Sequence, residues 1–409
     1  PNPQSPIPNP QSPIPIFIQI IKIKNITYIN NLNKILIINH IKTLMEENKQ
    51  EVHKPDCSKM EYRYLGNTGL KVSVLGFGNW VNNMNDDMTK ECFKKCLENG
   101  INYFDTAEIY GLGAGETSFG KVIKELNIPR EKIVVSTKIF KIGDDPNDSF
   151  LSRKHIREGL KNSLKRLQLD YVDIVFCHRY DMHTPLEETC RAMTWLIEHG
   201  YAFYWGTSEW TASQIMEAYG ICDRLGLKRP VVEQCHYNML YRNSMEVDYR
   251  DLFKKYKMGT TIWSPLESGI LTGKYINETP NDSRAKLTND NANVSFTQYM
   301  KNKNEYDEKL NKLKDIAEKK CGCNLTTLAI AWCIANPDVS VCLLGASKPA
   351  QLDDTIKALE VYRTIDKDTW IEIEKILDNT PKGEVDYRIW KELPSRRNVA
   401  MGIDYIKED

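Results

Sequence analysis

The sequence predicts an α/β fold, a parallel TIM (β/α)8 barrel with an N-terminal β-hairpin and one long insertion. From Glu61 onward, short β-rich runs alternate with helical stretches, which is typical of βα units and a parallel sheet. Eight such units follow one another over about 280 residues, and an eight-stranded barrel usually takes about 250 residues. The number and spacing of the units therefore favour a closed barrel.

The predicted strands are short apolar runs, and most of them are followed by polar or Gly-rich loops. They cover residues 72–76, 102–105, 133–138, 172–178, 203–208, 231–237, 260–265 and 341–347. Amphipathic stretches between them predict helices. Ser152 is a start signal for one of these helices, and Gly100 and Gly200 are stop signals for two others.

Two segments stand outside this repeat. Residues 62–65 and 70–73, on either side of Asn67 and Gly69, predict a hairpin that closes the bottom of the barrel. Residues 271–306, between strands seven and eight, are the clearest insertion. Loops of that length are usually lids or binding elements.

Composition excludes some classes of function. The 409 residues include 55 Lys and Arg against 55 Asp and Glu, and this balance argues against a general nucleic-acid or membrane-surface binder. The eleven cysteines are an odd number in a chain long enough to fold without disulfides, so we expect a reducing, cytoplasmic environment. The close pairs Cys92 and Cys96, and Cys321 and Cys323, lack zinc-ligand spacing, so no metal site is expected.

The N-terminal region differs from the rest in composition. Residues 2–8 repeat as residues 9–15, and proline excludes this stretch from helices and sheet ladders. Position 1 is not Met, and Met45 or Met60 could be the natural start. We expect residues 1–59 to be a disordered or non-native extension, with a targeting or membrane-contacting arm as the alternative. Residues 60–380 would then form the barrel and residues 381–409 a tail.

Ionisable side chains stand at three successive predicted strand ends. Asp105, Lys138 and His178 end strands two, three and four, and Tyr110 follows in the loop after Asp105. Catalytic groups of such barrels come from the C-terminal ends of the strands and from the loops that follow. We therefore expect all four side chains to face one cavity.

These four residue types make chemical sense together. A Tyr needs a nearby cation if it is to exchange a proton near neutral pH, and Lys138 can supply that cation. A buried Lys in turn needs a counter-ion, which Asp105 can provide. His178 can donate a hydrogen bond to a substrate carbonyl. Each residue alone could be structural, but their occurrence at successive strand ends favours a catalytic site.

Several motifs resemble the aldo-keto reductase superfamily. They are residues 76–80 (GFGNW), 104–110 (FDTAEIY), 136–138 (STK) and 205–208 (WGTS). Further motifs narrow the resemblance to the voltage-gated potassium channel β-subunit branch: residues 151–156, 163–168, 184–189, 191–194, 203–208, 215–218 and 328–333. The similarity extends over about residues 60–380 and includes several motifs of six residues, so it is specific.

This resemblance implies roles for named residues. Tyr110 would be the proton donor, Lys138 and Asp105 would lower its pKa, and His178 would orient the carbonyl. NADPH is the implied cofactor, with its amide at Ser208 and Gln234 and its nicotinamide ring on Trp263. The other implied cofactor-binding residues are Trp80, Asp105, Ser264, Pro265, Leu266, Glu267, Ser268, Lys274, Arg284, Gly345, Ser347, Gln351, Asp354 and Thr355.

The sequence departs from the usual pattern of this branch at three positions and in one segment. Animal members commonly have Asn at the position of His178, so the chain keeps the complete reductase set and is similar to plant-like members. Glu209 stands where the animal pattern has Arg. Residues 81–87 form a shortened segment, and Thr355 replaces an Asn near the adenine. The last two changes bear on cofactor contacts and not on cofactor use.

Two functions follow from the resemblance. The first is an NADPH-dependent reductase of aldehydes or ketones. The alternative is a cytoplasmic, homotetrameric regulatory subunit that docks on a voltage-gated potassium channel α subunit at the inner face of the plasma membrane and senses redox state with little turnover. A slow reductase could serve both functions.

Overall fold

The structure, a computed structural model, describes residues 51–80, 86–277, 294–388 and 390–403. A closed barrel of eight parallel strands in chain order is its centre, as the sequence predicts. The barrel strands are β3 (Leu75–Gly78), β4 (Tyr103–Asp105), β5 (Val134–Ile139), β6 (Val172–Cys177), β7 (Ala202–Ser208), β8 (Val232–His236), β9 (Gly259–Trp263) and β10 (Val341–Leu344). Strand β10 pairs with both β9 and β3, which closes the ring.

Helices surround the barrel, and some of them begin at a side-chain cap. They are α1 (Asp86–Glu98), α2 (Ala114–Glu125), α3 (Arg153–Leu167), α4 (Leu186–Glu198), α5 (Ala212–Leu225), α6 (Val294–Lys301), α7 (Lys303–Lys319), α8 (Leu325–Ala335), α9 (Gln351–Ile356), α10 (Ala358–Thr364) and α11 (Lys367–Leu377). Ser152 caps α3 by accepting a hydrogen bond from the backbone of His155, as its position in the sequence predicts. Two short π-helical segments, Ser244–Asp248 and Leu252–Tyr256, connect β8 to β9.

Apolar side chains fill both sides of the barrel wall. Every residue of β5 and of β6 is buried, which is typical of parallel strands covered on both faces. Inside the ring, Tyr103, Ile174 and Phe176 pack with apolar residues of the other strands. This packed interior leaves the loops at the C-terminal ends of the strands to form a site.

The predicted hairpin is present as β1 (Tyr62–Tyr64) and β2 (Lys71–Ser73), which pair antiparallel. Leu65 and Val72 from this hairpin pack against the interior cluster of the barrel. The first barrel strand was predicted to start at Val72 but starts at Leu75. Val72 and Ser73 pair with β1, and the backbone of Ser73 also donates to the side chain of Asn102, so neither is available to the barrel sheet.

The predicted insertion between the last two barrel strands is present as well. It contains the 3-10 segment Glu267–Thr272, α6 and α7, and α8 then leads into β10. Strands β9 and β10 end earlier than predicted, so Ser264 and Ser347 lie in loops. Residues 278–293, which include Arg284, lie outside the described residues, as do residues 1–50 of the predicted extension.

The C-terminal residues form a short hairpin, β11 (Val385–Asp386) and β12 (Lys391–Glu392), and a last helix, α12 (Arg396–Ala400). Arg397 of α12 is fully buried and donates to Glu374 of α11 at 2.8 Å. Across the described residues, no helix is both long and apolar enough to span a bilayer.

Candidate active site

The four side chains predicted at the strand ends lie together at the C-terminal mouth of the barrel. Parallel pairing of β4, β5 and β6 brings their ends side by side. The ammonium of Lys138 contacts the carboxylate of Asp105 and donates to the Tyr110 hydroxyl at 3.1 Å. The rings of Tyr110 and His178 meet edge to face, with 5.9 Å between their centroids.

Asp105 and Lys138 form a buried ion pair whose remaining hydrogen-bonding capacity is met by neighbouring groups. The relative exposure of Lys138 is 0% and that of Asp105 is 2%. Asp105 also accepts from the Ser136 hydroxyl at 2.6 Å and from the Gln234 amide at 3.3 Å. Burial alone would lower the pKa of Lys138, but Asp105 and Tyr110 raise it above its ordinary value, so the ammonium stays charged.

Tyr110 departs from one expectation. The resemblance implied that Lys138 and Asp105 would lower its pKa, but the pKa of Tyr110 is raised, because burial disfavours the phenolate. The positive charge of Lys138 opposes this rise, and the negative charge of Asp105 adds to it. Only Lys138 therefore acts in the expected direction, and the hydroxyl keeps its proton at neutral pH.

His178 is neutral in this environment. Burial of the ring lowers its pKa well below the ordinary value, and the positive charges of Lys138 and Arg179 lower it further. A neutral imidazole has one N–H to donate. Trp80, which is 48% exposed, meets the Tyr110 ring edge to face at 4.8 Å and covers one side of the mouth.

Ser208 and Gln234, predicted to hold the cofactor amide, are linked to Asp105 by hydrogen bonds, Gln234 directly and Ser208 through Gln234. The hydroxyl of Ser208 donates to the backbone carbonyl of Gln234 at 3.0 Å. The amide of Gln234 donates to Asp105, as described above, and to the Thr261 hydroxyl at 3.2 Å. Both residues are buried, and they are register partners on adjacent strands, with Ser208 at the end of β7 and Gln234 in the middle of β8.

Trp263, predicted to stack on the nicotinamide, is held by a stack of three rings. His236 lies parallel to it with 4.3 Å between centroids, and Tyr241 lies on the other side of His236 at 4.4 Å. The indole N–H of Trp263 donates to Glu209 at 2.8 Å. Sequence reasoning missed His236 and Tyr241 because nothing in their local pattern marks them.

The run predicted to follow the pyrophosphate is a tightly turned loop. Ser264, Glu267 and Ser268 have φ angles of 55°, 45° and 54°, and Pro265 and Leu266 lie between them. The hydroxyl-bearing residues Ser264 and Ser268 are partly exposed. Their side chains can donate to phosphate oxygens.

Glu267 contributes to this loop differently. Its carboxylate is buried, accepts from the Asn238 amide and lies 2.6 Å from His236 Nε2. The negative charge is thereby turned away from the loop surface, where it would repel a phosphate. Only the backbone of Glu267 is left to face a cofactor.

The residues predicted for the adenosine end cluster after β10. Gly345 is exposed, and the side-chain carbonyl of Gln351 accepts from the backbone of Ser347 at 2.8 Å and of Lys348 at 3.3 Å. Asp354 is exposed. The carboxylate of Asp354 can accept hydrogen bonds from ribose hydroxyls.

Thr355 and Lys274, two further residues predicted to contact the cofactor, differ in the accessibility of their side chains. The hydroxyl of Thr355 is turned inward, because Thr355 is buried and donates to the Leu352 carbonyl at 3.0 Å. Lys274 is exposed beside the loop of residues 264–268, with its ammonium 5.0 Å from the ring centroid of Tyr275. The donor set as a whole, made of hydroxyls, amides and an ammonium, fits a nicotinamide dinucleotide.

Sequence reasoning also passed over Arg179, which donates to the carbonyl of His178 at 2.6 Å and to the hydroxyl of Ser208 at 3.2 Å. A usable signal existed, since Arg179 directly follows a residue already assigned to a strand end. Glu209 was noted only as a departure from a pattern. In the structure it binds Trp263 and accepts from the backbone of His236 at 2.7 Å.

Known proteins are similar to this chain over most of its length. The family model "Aldo/keto reductase family" matches residues 74–378. A "Probable voltage-gated potassium channel subunit beta" of Arabidopsis thaliana is 46% identical over 336 residues, which cover 80% of this chain and 100% of the relative. A protein of the same description from Oryza sativa subsp. japonica is 45% identical over 336 residues, with the same coverage.

The family match covers the barrel strands and the helices up to α11, including the mouth where Asp105, Tyr110, Lys138 and His178 meet. Fold, site geometry and similarity agree, and the chain belongs to the aldo/keto reductase family of oxidoreductases.

Proposed function

We propose that the protein is an NADPH-dependent oxidoreductase that reduces aldehydes and ketones. The observation that carries this proposal is the hydrogen bond of 3.1 Å from the buried ammonium of Lys138 to the hydroxyl of Tyr110. A proton donor that keeps its proton at neutral pH, next to a fixed cation, is what protonation of a carbonyl oxygen requires.

Tyr110 would give its hydroxyl proton to the carbonyl oxygen of the substrate. The phenolate left behind would lie against the ammonium of Lys138, and Asp105 would keep that ammonium charged. Because these charges are already in place and buried, they need little rearrangement during the reaction. Solvent would restore the proton after the product leaves.

His178 would orient the substrate. Its neutral ring can donate one N–H to the carbonyl oxygen without adding a charge that would compete with Lys138 for the phenolate. Trp80 covers the Tyr110 ring and would limit the access of water.

NADPH would supply the hydride to the carbonyl carbon when it is bound. Ser208 and Gln234 would hold its amide, Trp263 would face its ring, and residues 264–268 would lie along its pyrophosphate. Lys274, together with Arg284 outside the described residues, would bind the phosphate that distinguishes NADPH from NADH. Trp80, Asp105, Gly345, Ser347, Gln351, Asp354 and Thr355 complete the proposed set.

The test is to add an aldehyde to the purified protein with NADPH and to follow the fluorescence of the cofactor. We expect aldehyde-dependent loss of fluorescence in the wild type and a large decrease in its rate in Tyr110→Phe. Tyr387→Phe, at an exposed tyrosine on the C-terminal hairpin, is the matched control and should retain the wild-type rate. Binding of NADPH without aldehyde-dependent oxidation would overturn the proposal.

A second function is favoured by the relatives, both of which are described as probable potassium channel β subunits. The proposal is that the protein also assembles as a homotetramer on a voltage-gated potassium channel at the cytoplasmic face of the membrane. Co-purification with a co-expressed channel and light scattering of the isolated protein test it. A protein that is monomeric and leaves channel currents unchanged would contradict it.

A further inference from the structure

Arg179 lies at the barrel mouth, immediately after β6, beside both groups proposed to bind a carbonyl. Its Nη1 is fixed by hydrogen bonds to the His178 carbonyl at 2.6 Å and to the Ser208 hydroxyl at 3.2 Å. The residue as a whole is exposed. The guanidinium is thus anchored through one nitrogen on a side chain that is otherwise exposed.

The anchoring leaves one particular edge of the guanidinium available. Within the described part of the chain, neither Nε nor Nη2 of Arg179 has a hydrogen-bond partner. These two nitrogens form the edge that binds a carboxylate with two parallel hydrogen bonds. Because Nη1 is already held, the side chain would lose less conformational entropy when it binds an anion.

The charged groups around the mouth also favour the binding of an anion. Lys138 is neutralised by Asp105, so this pair adds no net charge. Glu209 directly follows β7, and its carboxylate accepts hydrogen bonds from Trp263 and from the backbone of His236. Arg179 forms no ion pair with any described acid, so its positive charge, which acts on both Tyr110 and His178, is not paired with a carboxylate.

The positive charge of Arg179 affects the pKa values of His178 and Tyr110. After burial and Lys138, the positive charge of Arg179 is a further cause of the lowered pKa of His178. Burial raises the pKa of Tyr110 the most, and Arg179 is among the charges that oppose this rise. An anion bound at Arg179 would therefore lie within electrostatic reach of both.

We infer that the enzyme prefers carbonyl substrates that carry a carboxylate or another anionic group, and that Arg179 binds this group. The inference rests on the proposed reductase function, because it names the substrate class of that same mouth. The carbonyl would meet Tyr110 and His178, while the anionic group would lie on the Nε and Nη2 edge of Arg179.

The test compares two aldehydes of the same shape. Para-carboxybenzaldehyde carries the anion, and para-formylbenzamide is its neutral isostere. The ratio of their kcat/KM values is measured for the wild type, Arg179→Met and Arg179→Lys. We expect the ratio to fall about tenfold in Arg179→Met and less in Arg179→Lys, which keeps the charge and loses the two-pronged geometry. Taking the ratio removes differences in the intrinsic reactivity of the two aldehydes.

An unchanged ratio in Arg179→Met would overturn the inference and leave the reductase function intact. A tenfold loss of NADPH affinity with an unchanged ratio would also overturn it, because the guanidinium would then serve the cofactor. If the wild type reduces neither aldehyde, the reductase proposal fails, and calorimetry of para-carboxybenzaldehyde binding decides the inference separately. Equal binding to wild type and Arg179→Met would then contradict it.

Discussion

The hydroxyl of Tyr110 lies 3.1 Å from the ammonium of Lys138, which donates to it. Burial raises the pKa of Tyr110, while Lys138 acts in the opposite direction. Burial thus keeps the proton on the resting hydroxyl, and Lys138 stabilises the phenolate once the proton has left. This double effect is the physical basis of the proposed reaction.

Tyr110→Phe is expected to lower kcat by about 100-fold or more, because general acid catalysis typically contributes about 100-fold to 10,000-fold. NADPH affinity should change little, since the ring and its edge-to-face contact with Trp80 remain. Steady-state rates and fluorescence titration measure the two effects. Parallel loss of rate and of NADPH binding would indicate a structural role for Tyr110 instead.

Lys138→Met should destabilise the fold by about 3–5 kcal/mol, because it leaves the buried carboxylate of Asp105 without its cation. Urea unfolding measures this. The exposed pair of Lys154 and Glu158 offers a control, and Lys154→Met should cost less than about 1 kcal/mol. If the two variants lose similar stability, the buried pair of Asp105 and Lys138 contributes no more to stability than an exposed pair.

His178 predicts a pH dependence of stability. Because its pKa in the fold is below the unfolded value, the unfolded chain binds more protons as the pH falls below about 6.5. This contribution to stability is complete above that pH and is lost as the pH falls toward the folded pKa. Between about pH 7.5 and about pH 5.5 the wild type should therefore lose about 1 kcal/mol more stability than His178→Asn. Urea unfolding at both pH values tests it, and equal losses would contradict it.

Much of the barrel and its mouth could be predicted from the sequence. Apolar runs bounded by polar loops placed the strands within a few residues, and parallel strands end at one edge, so Asp105, Lys138 and His178 were expected to meet. The start of the first strand was missed because Val72 satisfies both a hairpin and a barrel pattern. The direction of the Tyr110 pKa shift depends on burial in three dimensions, which residue types alone do not give.

Other features depend on contacts distant in sequence. A glutamate in a polar loop is ordinarily exposed, yet Glu267 is buried because His236 and Asn238, from the end of β8 and the loop that follows it, bind its carboxylate. Arg397 is buried because Glu374 and Trp332 meet it from two helices. Local sequence periodicity does not reveal such contacts.

The ring stack on Trp263 should affect cofactor affinity. His236→Gln keeps a polar partner for Glu267 and removes the ring, whereas His236→Phe keeps the ring and removes the polar contact. An aromatic pair contributes about 0.5–1.5 kcal/mol, so His236→Gln should raise the Kd for NADPH about twofold to tenfold. His236→Phe should stay near the wild type. Fluorescence titration of NADPH measures the Kd of both variants. If His236→Phe raises the Kd more than His236→Gln does, the contact with Glu267 matters more than stacking.

Arg397 should contribute strongly to stability. Arg397→Met removes one cation from Glu374 and leaves Arg242, which donates to the same carboxylate at 2.7 Å. We expect a loss of about 3 kcal/mol in urea unfolding. Arg388→Met, at an exposed arginine of the C-terminal hairpin, is the control and should cost less than about 1 kcal/mol. A loss of less than about 1 kcal/mol for both would mean that the contact between Arg397 and Glu374 contributes little to stability.

In the proposed reaction, Tyr110, supported by Lys138, protonates a carbonyl during NADPH oxidation. The most direct measurement is the loss of cofactor fluorescence on addition of para-carboxybenzaldehyde to wild type and to Tyr110→Phe, with the alcohol product quantified. We expect the wild type to form one alcohol for each NADPH oxidised and Tyr110→Phe to react at a rate at least about 100-fold lower. Equal rates in the two proteins, or NADPH that binds and is not oxidised, would contradict it.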